Sequence, residues 1–199
     1  MMYTGNLPSG ISVVLASASP RRRELLSGMG ISFAVCPCDV DEYLPGTVPP
    51  PQAVVVLSER KARVAADAHP DALIIASDTL VACDGAALGK PVNTADAHRI
   101  LMRLSGRAHM VYTGVTVLYR GRTYTARGET VVHMRPFGPE EADAYIATGE
   151  PMDKAGAYGI QGEGGRLVTH IEGAYDNVVG LPTELLARLL REALMEADE

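Results

Sequence analysis

The chain contains no tryptophan and only two phenylalanines. That leaves few flat surfaces on which unpaired bases could stack and argues against single-stranded nucleic-acid binding. Basic residues are in the minority: 18 Lys and Arg against 24 Asp and Glu give a net charge of -6. A broad positive face for a duplex is therefore not expected, and local basic clusters must serve a small ligand. No apolar run approaches bilayer length. The first residues lack the basic flank and long apolar segment of a signal peptide, so the expectation is a soluble, cytoplasmic protein without a membrane partner. Cysteine is scarce. Cys36, Cys38 and Cys83 are odd in number and lack paired metal-ligand spacing, which predicts reduced thiols. The histidines at 69, 98, 109, 133 and 170 are scattered, no two at metal-binding helical spacing, and no Gly-x-Ser-x-Gly elbow occurs. Zinc hydrolysis and a serine triad are not expected.

What is present alternates. Strand-like and helix-like segments follow one another without repeats or low-complexity linkers, the pattern of an α/β fold. At 199 residues the chain suits one domain, or two lobes sharing one sheet. Residues 1–11 read as a flexible tail and 12–199 as a single domain. Strands are expected at 12–16, 33–36, 73–76, 111–119 and 122–134, and helices at 20–29, 52–67, 94–104 and 139–148. An amphipathic helix built on Leu185, Leu186, Leu189, Leu190 and Leu194 closes the chain. Pro49-Pro50-Pro51 should delay the second helix, and Asp84-Gly85 and Arg120-Gly121 mark tight turns.

Four places carry chemistry. Ser17-Ala18-Ser19-Pro20-Arg21-Arg22-Arg23 follows the first strand: Pro20 suits the first helical position and Ser19 the N-cap before it. The free N–H groups of that turn, the positive end of the helix dipole, Arg21 and Arg22 would together hold a phosphate. Lys61 interrupts the apolar face Val54, Leu57, Val64; it either meets an anionic partner or snorkels to solvent. Asp78, in Ser77-Asp78-Thr79 after a continuous apolar run, is a carboxylate expected at the end of a buried strand. There it could hold a divalent metal, take a proton from water, or cap its own turn. The stretch 149–162 gathers glycines around Lys154, Tyr158 and Gln161, as backbone lying close to a ligand would require. Gly85-Ala86-Ala87-Leu88-Gly89-Lys90-Pro91 is not a P-loop. It has one residue too few between its glycines, and Pro91 stands where a metal-binding Ser or Thr belongs. Lys90 can still reach an anion.

Ala16-Ser17-Ala18-Ser19-Pro20-Arg21-Arg22, Lys61-Ala62, Ser77-Asp78-Thr79, Leu88-Gly89-Lys90-Pro91, Leu104-Ser105-Gly106, Tyr112-Thr113-Gly114-Val115, the run from Asp153 to Gly162 and Asn177-Val178-Val179-Gly180-Leu181-Pro182 together resemble the Maf family of nucleoside triphosphate pyrophosphatases. The matches keep the family's order and cover nearly the whole chain. The resemblance implies an elongated mixed twisted sheet flanked by helices in two lobes with a central cleft, similar to inosine triphosphate pyrophosphatase. It implies hydrolysis of a nucleoside triphosphate to monophosphate and diphosphate, with a divalent cation such as Mg or Mn. By position, Asp78 matches the family's proton acceptor. Ser17, Arg21, Arg22, Lys61 and Lys90 match its polyphosphate-binding residues, Lys154 belongs to the matching substrate loop, and Glu42, with Asp78, matches the metal site. Arg21, Thr79 and Gln161 match the subgroup acting on dTTP and UTP; the 7-methyl-GTP subgroup typically has Gln and Glu at the last two positions. An amide at 161 offers both donors and an acceptor to the N3–H and O4 of uracil or thymine, whereas an ionised Glu offers acceptors alone. A regulator of septum formation without turnover is the alternative the family implies, and a homodimer is compatible with it. Ala86 and Ala87 replace acidic and large apolar residues common in relatives, and Asp176 stands where many have a small residue.

Overall fold

The computed structural model describes residues 7, 8, 10–45 and 48–195. Thirteen regular elements, labelled in chain order, are β1 (Val13–Leu15), α1 (Pro20–Gly28), β2 (Ala34–Val35), α2 (Pro50–Ala68), β3 (Leu73–Cys83), β4 (Ala86–Leu88), α3 (Thr94–Leu104), β5 (Ala108–Tyr119), β6 (Arg122–Met134), α4 (Pro139–Ala147), β7 (Val168–Glu172), α5 (Tyr175–Val179) and α6 (Thr183–Met195). Three 3-10 turns, Glu150–Asp153, Ala155–Ala157 and Glu163–Leu167, lie between α4 and β7. One mixed sheet of seven strands runs β2-β1-β3-β5-β6-β7, with β4 paired to β3. β1 is parallel to β2 and β3; every other pairing is antiparallel. This is the expected mixed α/β sheet flanked by helices. No helix among the described residues is long and apolar enough to cross a membrane.

The long strands β3, β5 and β6 span two cores. At one end, alternate residues Leu73, Ile75, Val115 and Val117 pack with Leu26 of α1 and Leu186, Leu189 and Leu190 of α6. The opposite face of that end holds Val14, Ile74 and Ala76 against Ala62 and Ala65 of α2. At the other end, Val81, Val111, Val132 and Met134 meet Ile100, Leu101 and Leu104 of α3 and Ala142, Tyr145 and Ile146 of α4. These are two lobes on one sheet, each closed by the amphipathic helices that the periodicity predicts. Leu7 and Ile11 pack against the first of these cores; the rest of the stretch expected as a tail lies mostly outside the described residues.

Two sequence expectations change. Ser77-Asp78-Thr79 does not end a strand but lies in the middle of the eleven-residue β3. α2 starts at Pro50, because prolines in a first turn need no N–H acceptor and so do not delay it. The central placement of Asp78 creates the site. β1 covers β3 only as far as Ile75, and β4 rejoins that edge at Val81. Between them the edge of β3 is left open to the loops that follow β1 and α4.

A second packing detail sets depth. Gly114 on β5 is the register partner of Asp78, and a Cβ at Gly114 would collide with the Val54 carbonyl of α2. The missing side chain lets α2 lie directly on the sheet. Lys61, two turns after Val54, thereby comes over β3.

Candidate active site

A cleft of about 670 Å³ opens between the lobes along the uncovered edge of β3. Ser17, Arg21, Arg22, Glu42, Lys61, Thr79, Lys90, Lys154 and Gln161, from six separate stretches of chain, all line it. Asp78 stands just behind the wall, 6% exposed. It reaches the cleft through Lys61, whose Nζ donates to Asp78 Oδ1 at 2.5 Å and to Glu42 Oε1 at 2.7 Å. Of the two sequence readings of Lys61, the anionic partner holds and the snorkel does not. Its hydrogen bond keeps the Glu42 carboxyl below the usual carboxylate range, against partial burial, and the positive fields of Lys61, Lys90 and Arg22 act in the same direction.

Arg22 is held only by neutral oxygens. Nε donates to Gly180 O at 2.9 Å, Nη1 to Ser17 Oγ at 3.2 Å and Nη2 to Thr79 Oγ1 at 3.0 Å. Burial lowers its pKa, opposed by the field of Asp78, and a guanidinium remains charged under such pressure. Half-buried and without a paired carboxylate among the described residues, this guanidinium has charge left to offer an anion. Thr79 is committed as well. Thr113 gives its hydroxyl proton to Asn177 O at 2.8 Å, so across the 3.0 Å contact between the two threonines Thr79 must be the donor. Its lone pair is what Arg22 uses. Thr79 therefore orients the arginine in this structure.

Ser19 occupies the N-cap of α1 but makes no side-chain cap bond; its own N–H donates to Ser17 Oγ at 3.2 Å. The N–H groups of Arg21 and Arg22 have no acceptor among the described residues. Together with the dipole of α1 they form an anion-seeking turn at the cleft floor. The side chains of Arg21 and Lys90 likewise make no ion pair or hydrogen bond among the described residues. Five cationic side chains thus meet in one cleft, two of them unengaged.

Across the cleft, the glycine-rich segment is organised by Glu150, which sequence reasoning did not single out. Its carboxylate accepts from Tyr145 Oη at 2.7 Å, Glu163 N at 2.9 Å and Gly164 N at 3.2 Å. Burial raises its pKa, but these hydrogen bonds and the nearby Lys154 outweigh that and hold it lowered. A Cβ at Gly162 would strike that carboxylate and one at Gly164 the Tyr145 hydroxyl. At these two positions a side chain would have to displace groups packed within the loop. Lys154 is fixed by Glu150 O and Asp153 Oδ1, each at 2.7 Å. Gln161 is exposed at the rim, its amide unengaged among the described residues. Cys38, also unpredicted, lines the cleft with a thiol pushed up to about 11, chiefly by burial; at neutral pH it is no nucleophile.

The family model of Maf-like proteins matches residues 12–193. The chain belongs to the Maf-like family. Among relatives of this Maf-like chain, the dTTP/UTP pyrophosphatase of Moorella thermoacetica is 51% identical over 180 residues, covering 89% of this chain and 93% of that one. Those of Symbiobacterium thermophilum and Bacillus cytotoxicus are 46% and 44% identical, each covering 90% of this chain and 93% and 92% of their own. Among solved structures, the Staphylococcus aureus Ham1 protein matches with a TM-score of 0.47 at 15% identity, covering 91% of this chain and 98% of that one. Of the Maf-like segments quoted from the sequence, those around 16–22, 61, 79, 90, 153–162 and 178–179 contribute to the cleft, whereas 104–106 and 112–115 do not line it.

Proposed function

We propose that this chain hydrolyses dTTP and UTP to dTMP or UMP and diphosphate. The observation that carries the reading is the convergence of Arg21, Arg22, Lys61, Lys90 and Lys154 on one cleft, a density of positive charge matched by a triphosphate. Such a ligand resists attack by water because of its own charge, and cations offset both that repulsion and the charge gathering on the departing diphosphate. In this reading Ser17, the open N–H groups of α1, Arg21 and Arg22 hold the leaving phosphates, with Lys90 closing over them. Water attacks the α-phosphorus, the bond to the bridging oxygen breaks, and Asp78 accepts the proton.

The reaction calls for a divalent cation. Asp78 and Glu42 are two hard oxygen donors converging on the single ammonium of Lys61, a set suited to Mg or Mn rather than to a softer metal. Those two carboxylates would hold it, and it would supply charge neutralisation and a more acidic bound water. Lys61, drawn toward phosphate oxygens, would free both carboxylates for that work. Gln161 reads the pyrimidine edge through its amide. The ligand is a free nucleotide in the cytoplasm, not a nucleic acid.

The deciding experiment is a substrate panel with product identification: dTTP, UTP, CTP, purine triphosphates and 7-methyl-GTP, each with Mg and with Mn. The expected products from dTTP are dTMP and diphosphate. Release of inorganic phosphate and dTDP, or highest efficiency with 7-methyl-GTP, would overturn the reading. Thermal protection by dTTP without any dTMP would point to a regulator that binds and does not turn over.

A further inference from the structure

The sequence offers no helical His pair, but the sheet builds one across strands. His133 on β6 and His170 on β7 are register partners, and Glu172, two residues along β7, projects from the same face. One ligand atom from each of the three lies within 4.8 Å of the other two. The imidazoles stack with centroids 4.0 Å apart and planes 12° apart, and His133 Nε2 lies 2.7 Å from Glu172 Oε1. A register shift between His133 and Met134 interrupts the ladder at this point, the kind of irregularity that re-aims side chains. None of the three lines the cleft.

The tautomer of His170 is fixed by a neighbour. Thr169 Oγ1 donates its proton to His133 O at 2.9 Å, so at 3.2 Å from His170 Nδ1 it can only accept. Nδ1 of His170 therefore carries the hydrogen, and Nε2 is left with its lone pair outward. Metal-binding histidines are commonly prepared in this way by a partner on the other ring nitrogen. We infer that His133, His170 and Glu172 form a binding site for a zinc-class divalent cation, separate from the nucleotide cleft. Two imidazoles and one carboxylate suit zinc, cobalt or nickel and not magnesium. The rings are stacked, and His133 Nε2 donates to Glu172 in the ion-free protein. Binding would require that proton to shift to Nδ1 of His133 and both rings to turn until their Nε2 atoms face a shared ion, with water completing the coordination. The ion would fasten β7, the last strand of the sheet, to β6. β7 leads through Gly173 into α5, where Asn177 O accepts from Thr113 and the following Gly180 O from Arg22. Holding β7 thus holds one wall of the cleft.

The test is titration of the whole chain with ZnCl2 by calorimetry in excess Mg, paired with the visible absorption of the Co-loaded protein. One zinc per chain is expected, with cobalt bands typical of low coordination number. His170→Ala and His133→Ala should each remove that binding. Thr169→Val should weaken it roughly tenfold, and a Cys36→Ser, Cys38→Ser double variant should retain it. Mg-dependent activity of His170→Ala should match the parent, which reports intact folding. Absence of zinc binding, equal binding by His170→Ala, or loss in the cysteine variant would each overturn the inference. None of these outcomes depends on the nucleotide specificity of the cleft.

Discussion

The ammonium of Lys61 lies 2.5 Å from Oδ1 of Asp78, with the two side chains 12% and 9% exposed. A pair this buried is costly to break from one side, because the surviving charge is left without a partner. Lys61→Met should therefore destabilise the fold by about 3 kcal/mol while abolishing turnover. Adding Asp78→Leu should recover most of that stability and none of the activity. Asp78→Asn alone should lower kcat on the order of a hundred- to ten-thousandfold, with dTTP binding retained. Urea unfolding and diphosphate release, measured on the same preparations, check both halves. A double variant no more stable than Lys61→Met would remove the ion pair from the account.

The proposed function rests base choice on Gln161. Gln161→Glu replaces a donor and an acceptor with acceptors alone, and a lost or repelled hydrogen bond of this kind is worth about 1–3 kcal/mol. The kcat/KM for dTTP and UTP should fall roughly tenfold or more, with little change in unfolding temperature. Unchanged discrimination across the substrate panel would move the assignment to another residue of the rim.

His109 should govern stability in mild acid. It is 3% exposed, its Nε2 bonded to the Tyr158 hydroxyl at 2.8 Å and its Nδ1 without a partner among the described residues. Burial is the chief cause that lowers its pKa from 6.5 to about 4. The unfolded chain takes up this proton near pH 6.5 and the folded chain only near pH 4. The stabilising contribution is thus whole above pH 6.5 and fades as the pH falls toward 4, by on the order of 3 kcal/mol at most. Denaturant midpoints at pH 7.5, 6 and 5 should show that decline, and His109→Gln should flatten it. An equal slope in the variant would assign the decline to other groups.

The regular parts of the fold were legible because they obey local rules. α3 keeps Ala97, Ile100, Leu101 and Leu104 on one face, and the turns at 84–85 and 120–121 carry the positive φ angles expected of such hairpins. The polar centre of β3 was not legible. Ser77, Asp78 and Thr79 look like a strand end because their partners are far away in sequence: Gly180 for Ser77, Lys61 for Asp78, Thr113 for Thr79. Exposed β7 has no apolar run to announce it, and five-residue α5 is too short for a periodic signal. Within the site, family resemblance located the cations, which are conspicuous by charge. Glu150 escaped notice because its work is to bind backbone N–H groups of a loop thirteen residues on, which no spacing rule encodes.

Gly114 sets a clearance that reaches beyond packing. With no methyl to hold the layers apart, the gap between α2 and the sheet decides where a lysine's four-carbon arm ends, and that end is the charge shared by Asp78 and Glu42. Wall thickness and reactivity are thereby tied together. A chain of this architecture cannot drift toward a looser interface at that point without also moving the ammonium away from the two carboxylates it joins.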